Sequence, residues 1–443
     1  MFTEPQAMIR DLGNGLFMRH AAREDVDALC TFNAKILGQE EADRIGVVAW
    51  TRDLLTRPHA TFQPGDFIIV EEPFTGRIVS SMCLIPQIWS YEGIEFGVGR
   101  PELVGTLPEF RGRGLIHVQF DEIHRWSAER NLQVQAGTGI RTYFRKLGYE
   151  YALDLNRWRM GSTVPKLKDG EQEKYVIRPA QENDIPFLMS AYEYGSSRGL
   201  IQVKWTAGHW HNNLYELSEE NYHRLEFRII ERAGSNEPVG YFAQSPILGD
   251  SGVRAFHYEL APGISWLEVT PCVIRSLWIS GQEYGRRENR PCTTFSFLLG
   301  AEHPAYEVLG SQVIKGGQPY AWYLRVPDVA GFLNHIRPVL EKRLAKSIAC
   351  GHSGEYLLNM FPKGAQLVLE SGRITIQPWK PEHADDGNAG FPMLSFVQIL
   401  FGYRSLDELR YAFPDCWWSD ESTRIVMNAL FPKKSSTLYY GIV

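Results

Sequence analysis

Two stretches of this chain repeat each other at a distance no single structural element can span. "RHAAREDVDALCTF" from Arg19 and "RPAQENDIPFLMSA" from Arg178 share the pattern R-x-A-x-x-x-D-[VI]-x-x-L, 159 positions apart. "FIIVEEPFTGRIVSSM" from Phe67 and "FRIIERAGSNEPVGYF" from Phe227 follow at an offset of 160, each an apolar run, a glycine-bearing turn and a second apolar run. "YFRKLGYEYAL" and "AYEVLGSQVI" align Gly148 with Gly310 at 162. Repeats at a near-constant spacing identify one supersecondary pattern used twice. The pattern reads as strand, helix with an acidic first turn (Asp25, Asp184), antiparallel hairpin, and a glycine-ended helix before a strand.

The chain is therefore expected to be α/β (α+β), with two tandem mixed-sheet domains over 1–160 and 174–330. The polar stretch "GSTVPKLKDGEQEK" links them. After "AWYLRVPDVAGFLNHIRPVLEKRLAK" the pattern changes to a hairpin around Ser371-Gly372 and then mostly helical spacing, a third α/β domain over 331–443. A length of 443 residues exceeds one core and suits this division.

The segment "TLPEFRGRGLIH" carries the chemistry. A strand, "ELVGTL", meets Pro108, then two arginines interleaved with two glycines, then the helix "LIHVQFDEIHRWSAERN". Glycines allow close backbone approach, and helix N-terminal amides with arginines beside them make a pyrophosphate site. It is neither a Walker A loop nor a Rossmann fingerprint, since no GK[ST] follows and position 117 is His. The second repeat has "WLEVTPCVIRSLWISGQEYG" there, read as strand passing through Pro271 into a helix. It lacks the loop, so one active centre per chain is expected.

Glu109-Phe110-Arg111-Gly112-Arg113-Gly114 resembles the Q/R-x-x-G-x-G/A signature of the GNAT N-acyltransferases except at its first residue. "YFRKLGYEYAL" resembles their later F-Y-x-x-x-G-[FY] segment. The order of parts over nearly the whole chain resembles the enhanced intracellular survival family, tandem-GNAT aminoglycoside N-acetyltransferases with a sterol-carrier-protein-like last domain. "TLPEFRGRGLI" matches that family's loop except at Gly112; "AWYLRVPDVAGFL" and "FGYRSLDELRYA" resemble its junction and final helical region.

The resemblance implies an acetyl-CoA-dependent N-acetyltransferase acting on a primary amine of an aminoglycoside, a polyamine or a peptide lysine, by direct attack in a ternary complex. It implies a homo-oligomer. Arg111, Gly112, Arg113, Gly114 and Leu115 would hold the pyrophosphate. The bulged strand before them would offer backbone groups of Thr106 and Leu107 to pantetheine and an N–H to the thioester carbonyl. The second repeat becomes a degenerate domain without the CoA loop. A longer acyl donor, or a CoA- or lipid-binding module without turnover, are the alternative readings.

An amine of pKa near 10.4 must lose a proton, and the leaving thiolate must gain one. The family's general acid is a tyrosine four residues before the "LGY" glycine. Here Phe144 holds that position with Tyr143 beside it, so Tyr143 or water is the acid. For the base, the resemblance implies the terminal carboxylate, here Val443. Glu102 is a second candidate, on the face of the strand shared by positions 102, 104 and 106 by alternation. Glu92 and Glu95, beside Trp89 and Tyr91, are candidates to hold a cationic acceptor. Tyr306, which holds the usual acid position in the loop-less repeat, is read as structural.

The net charge of −6 speaks against nucleic acid or an anionic membrane as partner. Six scattered cysteines read as reduced thiols, and no ligand spacing calls for a metal, His117 and His124 included. No signal peptide or spanning apolar run is legible, which places the expected location in the cytoplasm.

Overall fold

The computed structural model describes residues 8–139, 142–155, 158–250, 252–316, 320–392, 394–436 and 438. The chain begins β1 (Met8–Gly13), β2 (Leu16–His20), α1 (Val26–Leu37), α2 (Glu41–Thr56), β3 (Phe67–Glu72), β4 (Arg77–Tyr91), β5 (Ile94–Thr106), α3 (Leu115–Glu129), β6 (Val134–Gly137), β7 (Glu150–Asp154) and β8 (Arg159–Gly161). It continues β9 (Tyr175–Pro179), α4 (Ile185–Ser196), β10 (Ile201–Val203), α5 (Ala207–His211), β11 (Glu226–Arg232), β12 (Glu237–Gln244), β13 (Gly252–Leu260), α6 (Trp266–Arg287), β14 (Thr294–Phe297), α7 (Pro304–Leu309), β15 (Ile314–Lys315) and β16 (Ala321–Arg325). The last part is α8 (Val329–His335), α9 (Arg337–Ala345), β17 (Gly354–Met360), β18 (Lys363–Glu370), β19 (Arg373–Trp379), β20 (Ala389–Gly390), α10 (Phe396–Leu400), α11 (Leu406–Ala412), β21 (Trp417–Trp418) and α12 (Glu421–Leu430).

The fold is mixed α/β on three sheets. The first has the order β1-β2-β3-β4-β5-β6-β16-β7 with β10 added beside β4; the second β15-β8-β14-β13-β12-β11-β9; the third β19-β18-β17-β20-β21. The two larger sheets carry the same pieces in the same order. An antiparallel run ends in a helix that crosses to a parallel strand, β5-α3-β6 in one and β13-α6-β14 in the other. They also trade strands. β8 lies between β14 and β15, while β16 lies between β6 and β7. Division by sheet thus differs from division by residue number at β8 and β16, each a few residues from the expected boundary, and at β10, which lies well inside the second stretch and pairs with β4.

In the second repeat, Trp266 to Arg287 is one helix with Pro271 inside it. The strand expected there ends earlier, at Leu260. Five cysteines are buried and Cys350 is exposed, all as free thiols.

Candidate active site

β4 and β5 form the longest hairpin, closed by Glu92 and Gly93 with φ of 46° and 95°, the left-handed pair that a two-residue hairpin turn needs. Ser80 stands opposite Thr106, Ser81 opposite Gly105 and Cys83 opposite Glu102, so β5 carries an extra residue between Glu102 and Gly105. Leu103 takes it up at φ 51°. This bulge, at a residue type that seldom adopts positive φ, left no signal in the sequence.

The bulge overturns the strand alternation expected from residue numbers. Cross-strand partners share a face, and Ser81 and Cys83 share one by their spacing, so Glu102 lies on the face of Gly105 and Thr106 on the other. The contacts agree. Thr106 Oγ1 meets Ser80 Oγ at 2.8 Å, and Ser80 reaches Gln119 of α3 at 2.6 Å. Gly105 faces α1, where a Cβ would come 2.6 Å from Ile36 Cγ2.

β5 runs parallel to β6 only at Val98–Val134 and Gly99–Gln135. Beyond that, β6 pairs with β16 on its other edge, and β5 leaves it. The result is a wedge between Arg100–Thr106 and the end of β6, opening toward the glycine-arginine loop.

That loop turns through Pro108–Phe110 and reaches α3 by two left-handed glycines, Gly112 and Gly114, both at φ 77°. The space beside each is open, no side chain caps α3, and its first turn carries no acid. Arg113 lies 4.6 Å over the Phe110 ring and bonds the Glu109 carbonyl at 3.2 Å; Arg111 Nε bonds the Thr106 carbonyl at 3.2 Å. Uncapped amides, open glycines and two arginines fit a pyrophosphate. One expected donor drops out. The Leu107 N–H donates to the Val79 carbonyl at 2.9 Å and is not available to a thioester carbonyl. The bulged residues Leu103 and Val104, which stand opposite no partner in the β4 ladder, are the backbone that remains.

Tyr143 and Phe144 point apart. Phe144 is buried, stacked 5.1 Å from Tyr323 and resting on Gly137, where a Cβ would lie 2.9 Å from its ring. Tyr143 turns to the first full turn of α3, its hydroxyl 3.4 Å from His117 Nδ1. Burial raises the Tyr143 pKa. Three tyrosines invisible to local reading hold this loop. Tyr323 Oη accepts from Thr142 N at 2.9 Å and donates to Tyr151 at 2.7 Å, while Tyr320 bonds the Gly139 carbonyl. Tyr320 borders β16 and Tyr323 lies in it; long-range pairing, not a motif, brings them here.

Glu102 is bonded to Arg100, itself stacked 4.9 Å from Trp322. His223 and Trp50, in edge contact at 4.4 Å, lie where α2 meets the segment that precedes β11. Burial, then the nearby Arg100, pushes His223 down to about 3, so it is neutral.

The two candidate acceptor acids are elsewhere. Glu92 is held by Arg343 at 3.2 Å and Lys434 at 2.9 Å, at the junction with the third sheet. Glu95 is exposed, and its carbonyl takes His335 at 2.6 Å. Glu95 stands five positions along β5 before Arg100, where the wedge begins, roughly 17 Å at the usual rise. These carboxylates do not border the wedge. Val443 lies outside the described residues. Upstream of it, Leu200 N bonds Ser435 O and Ile201 N bonds Ser436 Oγ. His124 is neutral, lowered to about 3 by burial and then Arg325, and bonds Tyr149 at 3.0 Å. Among the described residues no cluster of His, Cys, Asp and Glu is arranged to hold a metal, and no helix is long and apolar enough to cross a membrane.

The second sheet has a wedge too, but its own side chains fill it. His303 accepts from Ala305 N at Nδ1 and so donates from Nε2 to the Tyr258 carbonyl, 3.0 Å away on β13. Tyr306 donates to Phe297 O and accepts from Leu299 N. Both bonds of its hydroxyl go to backbone.

Residues 18–152 match the acetyltransferase (GNAT) domain family. No curated protein sequence matches the chain. Among solved structures, a GCN5-related N-acetyltransferase from Anabaena variabilis superposes with a TM-score of 0.66 at 14% identity, over 95% of this chain and 98% of that one. A probable N-acyltransferase from Enterococcus faecalis gives 0.66 at 14%, over 96% and 99%. Eis1 from Mycobacterium abscessus gives 0.60 at 12%, over 96% and 99%. At this identity the likeness is one of fold, and it extends end to end. The matched residues span β3–β6 of the first sheet and α1–α3, with most of β2 and β7. The chain therefore carries an acetyltransferase domain of the GNAT type within a longer fold that it shares with these structures.

Proposed function

We propose that the chain transfers an acetyl group from acetyl-CoA to the primary amine of a cationic small molecule or a peptide lysine, in a ternary complex. The observation that carries this is the pair of left-handed glycines leading into uncapped α3 at the mouth of the β5/β6 wedge. Arg111, Gly112, Arg113, Gly114 and Leu115 bind the pyrophosphate. Thr106 and the bulge at Leu103–Val104 line the pantetheine path, and a fixed N–H there stabilises the tetrahedral oxyanion.

Tyr143 gives the leaving thiolate its proton. Its raised pKa supports this, since the phenol stays protonated at neutral pH. Glu102 takes the ammonium proton on the α1 face. Its place on the face of β5 that Gly105 turns to α1 supports that role, because an amine on that face meets the thioester from the side opposite α3. A second reading gives the base to the Val443 carboxylate. In the same proposal, residues 1–160, 174–330 and 331–443 are a catalytic domain, a degenerate copy and a sterol-carrier-like domain. The filled second wedge supports the degeneracy.

The test is a thiol-release assay with acetyl-CoA against aminoglycosides, polyamines and lysine peptides, with an Arg111→Ala, Arg113→Ala control. Amine-dependent CoA release that the control loses supports the proposal. No release from any acceptor, although acetyl-CoA binds, points to a longer donor or a module without turnover.

A further inference from the structure

We propose that Ile36, seated on Gly105, restricts the donor to a short acyl chain; this rests on the reading of the β5/β6 wedge as the thioester site. Gly105 precedes Thr106 in β5. Its backbone is not left-handed, so conformation does not demand glycine there. The neighbour does. A Cβ would lie 2.6 Å from Ile36 Cγ2 and 3.6 Å from Phe32 Cε1. A glycine in a strand marks a close approach, and here the approaching group is α1. The missing side chain therefore leaves no tunnel.

The second sheet reverses the pair. Gly240 stands opposite Leu260 and Tyr241 opposite Glu259, as Ser80 stands opposite Thr106 and Ser81 opposite Gly105, so Glu259 is the counterpart of Gly105. Gly195 of α4, 159 positions after Ile36, faces it, and a Cβ on Gly195 would come 2.1 Å from Glu259 Cδ. One copy has bulk on the helix and none on the strand; the other has the opposite. This position is a helix-to-strand contact in both copies. Only in the first does it border an open wedge.

Donor binding from the α3 side puts the acyl tail at the far end of the thioester, heading for the α1 face. There it meets half-buried Ile36 and buried Phe32. Ile36 thus works as a stop, and trimming it admits a longer chain.

The experiment compares acetyl-, butyryl- and hexanoyl-CoA on the full chain and on Ile36→Val, Ile36→Ala and Gly195→Ala, by kcat/KM and by calorimetric binding, with melting curves as the fold check. A methylene that does not fit costs roughly tenfold or more. The unaltered chain is expected to lose at least about tenfold from acetyl to butyryl. Ile36→Ala is expected to recover at least about tenfold of the hexanoyl-to-acetyl ratio, Ile36→Val less, and Gly195→Ala none. Equal use of all three donors by the unaltered chain overturns the inference, as does an unchanged donor order in folded Ile36→Val and Ile36→Ala. If no acyl-CoA binds at all, the functional reading fails and the inference with it. Binding with an unchanged preference defeats the inference alone.

Discussion

Arg19 and Arg178 hold corresponding pairs of acids in different sheets. Arg19 bonds Asp25 at 2.7 and 2.8 Å and Glu71 at 2.7 and 2.8 Å; Arg178 bonds Asp184 at 2.6 and 2.8 Å and Glu231 at 2.7 Å. In each corner the aspartate also accepts a backbone N–H at the start of the helix, from Ala22 or Gln181. The arginine thus ties a strand, its neighbour and a helix N-terminus together. Removing one leaves two acids without their cation in a mostly buried site. Arg19→Ala and Arg178→Ala are each expected to cost about 3 kcal/mol in denaturant unfolding, and Arg178→Ala to leave the KM for acetyl-CoA unchanged.

The same corner sets an acid limit. Burial would raise Asp25, but the Arg19 guanidinium and the Ala22 amide overcome it and hold its carboxyl below the ordinary 3.8; in Asp184 the Arg178 bond leads, and the result has the same sign. A depressed carboxylate stabilises the fold above its unfolded pKa, and that stability is lost as pH falls through the native value. Unfolding free energy should fall as pH drops below about 4. In Arg19→Ala that acid dependence should be shallower.

Arg111 and Arg113 flank a backbone site and take no part in the chemistry proposed, so their loss should appear in binding. Each alanine substitution is expected to raise the KM for acetyl-CoA by about tenfold or more, the worth of a charge-assisted hydrogen bond, with kcat nearly unchanged. Steady-state kinetics at saturating amine separates the two. A fall in kcat at unchanged KM would move the loop from binding to chemistry.

Tyr143 and Phe144 make opposite predictions. Tyr143→Phe should lower kcat by roughly 10²-fold or more, the usual weight of a general acid, with donor binding intact. Because burial raises the phenol, the alkaline limb of kcat should lie above the ordinary tyrosine value of 10 and disappear in the variant. Phe144→Tyr should not restore activity. Its ring lies in the core between Tyr323, Tyr149 and Phe120, where a new hydroxyl would cost stability, visible as a lowered Tm.

Local pattern sufficed for the parts that local pattern encodes. The acidic first turns at Asp25 and Asp184, the hairpins and the loop into α3 were legible because each is written within a few residues. Leu103 was not, since a left-handed leucine is fixed by the ladder around it, and the bulge then misplaced Glu102 relative to Thr106. Tyr323 and the β8/β16 exchange were hidden for another reason: they depend on partners about 180 or 140 residues away. Glu92 and Glu95 looked like an acidic pocket because charge is visible in sequence, whereas Arg343 and Lys434 are visible only in space.

Glu92 should accordingly behave as a junction residue. Burial alone would raise its carboxyl, but Lys434 and Arg343 hold it below the ordinary value. Glu92→Gln leaves half-buried Arg343 without its carboxylate, and the unfolding free energy should fall by about 1–3 kcal/mol. The KM for every amine tested should stay unchanged. A raised KM confined to cationic acceptors would return Glu92 to substrate binding.

Glu102 is the sharper case, because its bond to Arg100 keeps the carboxylate oriented on the α1 face of β5. A base held this way works by position, taking a proton as the amine attacks. Glu102→Gln keeps the shape and removes the basicity. It is expected to lower kcat by roughly 10²-fold and to leave acetyl-CoA binding as it was. Glu102→Asp should keep part of the rate, since the carboxylate remains but its reach is shorter. If Glu102→Gln instead raises only the KM for the amine, the carboxylate holds the ammonium and does not deprotonate it. A rate unchanged in both variants would give the base to the Val443 carboxylate, which removal of the last residues then tests.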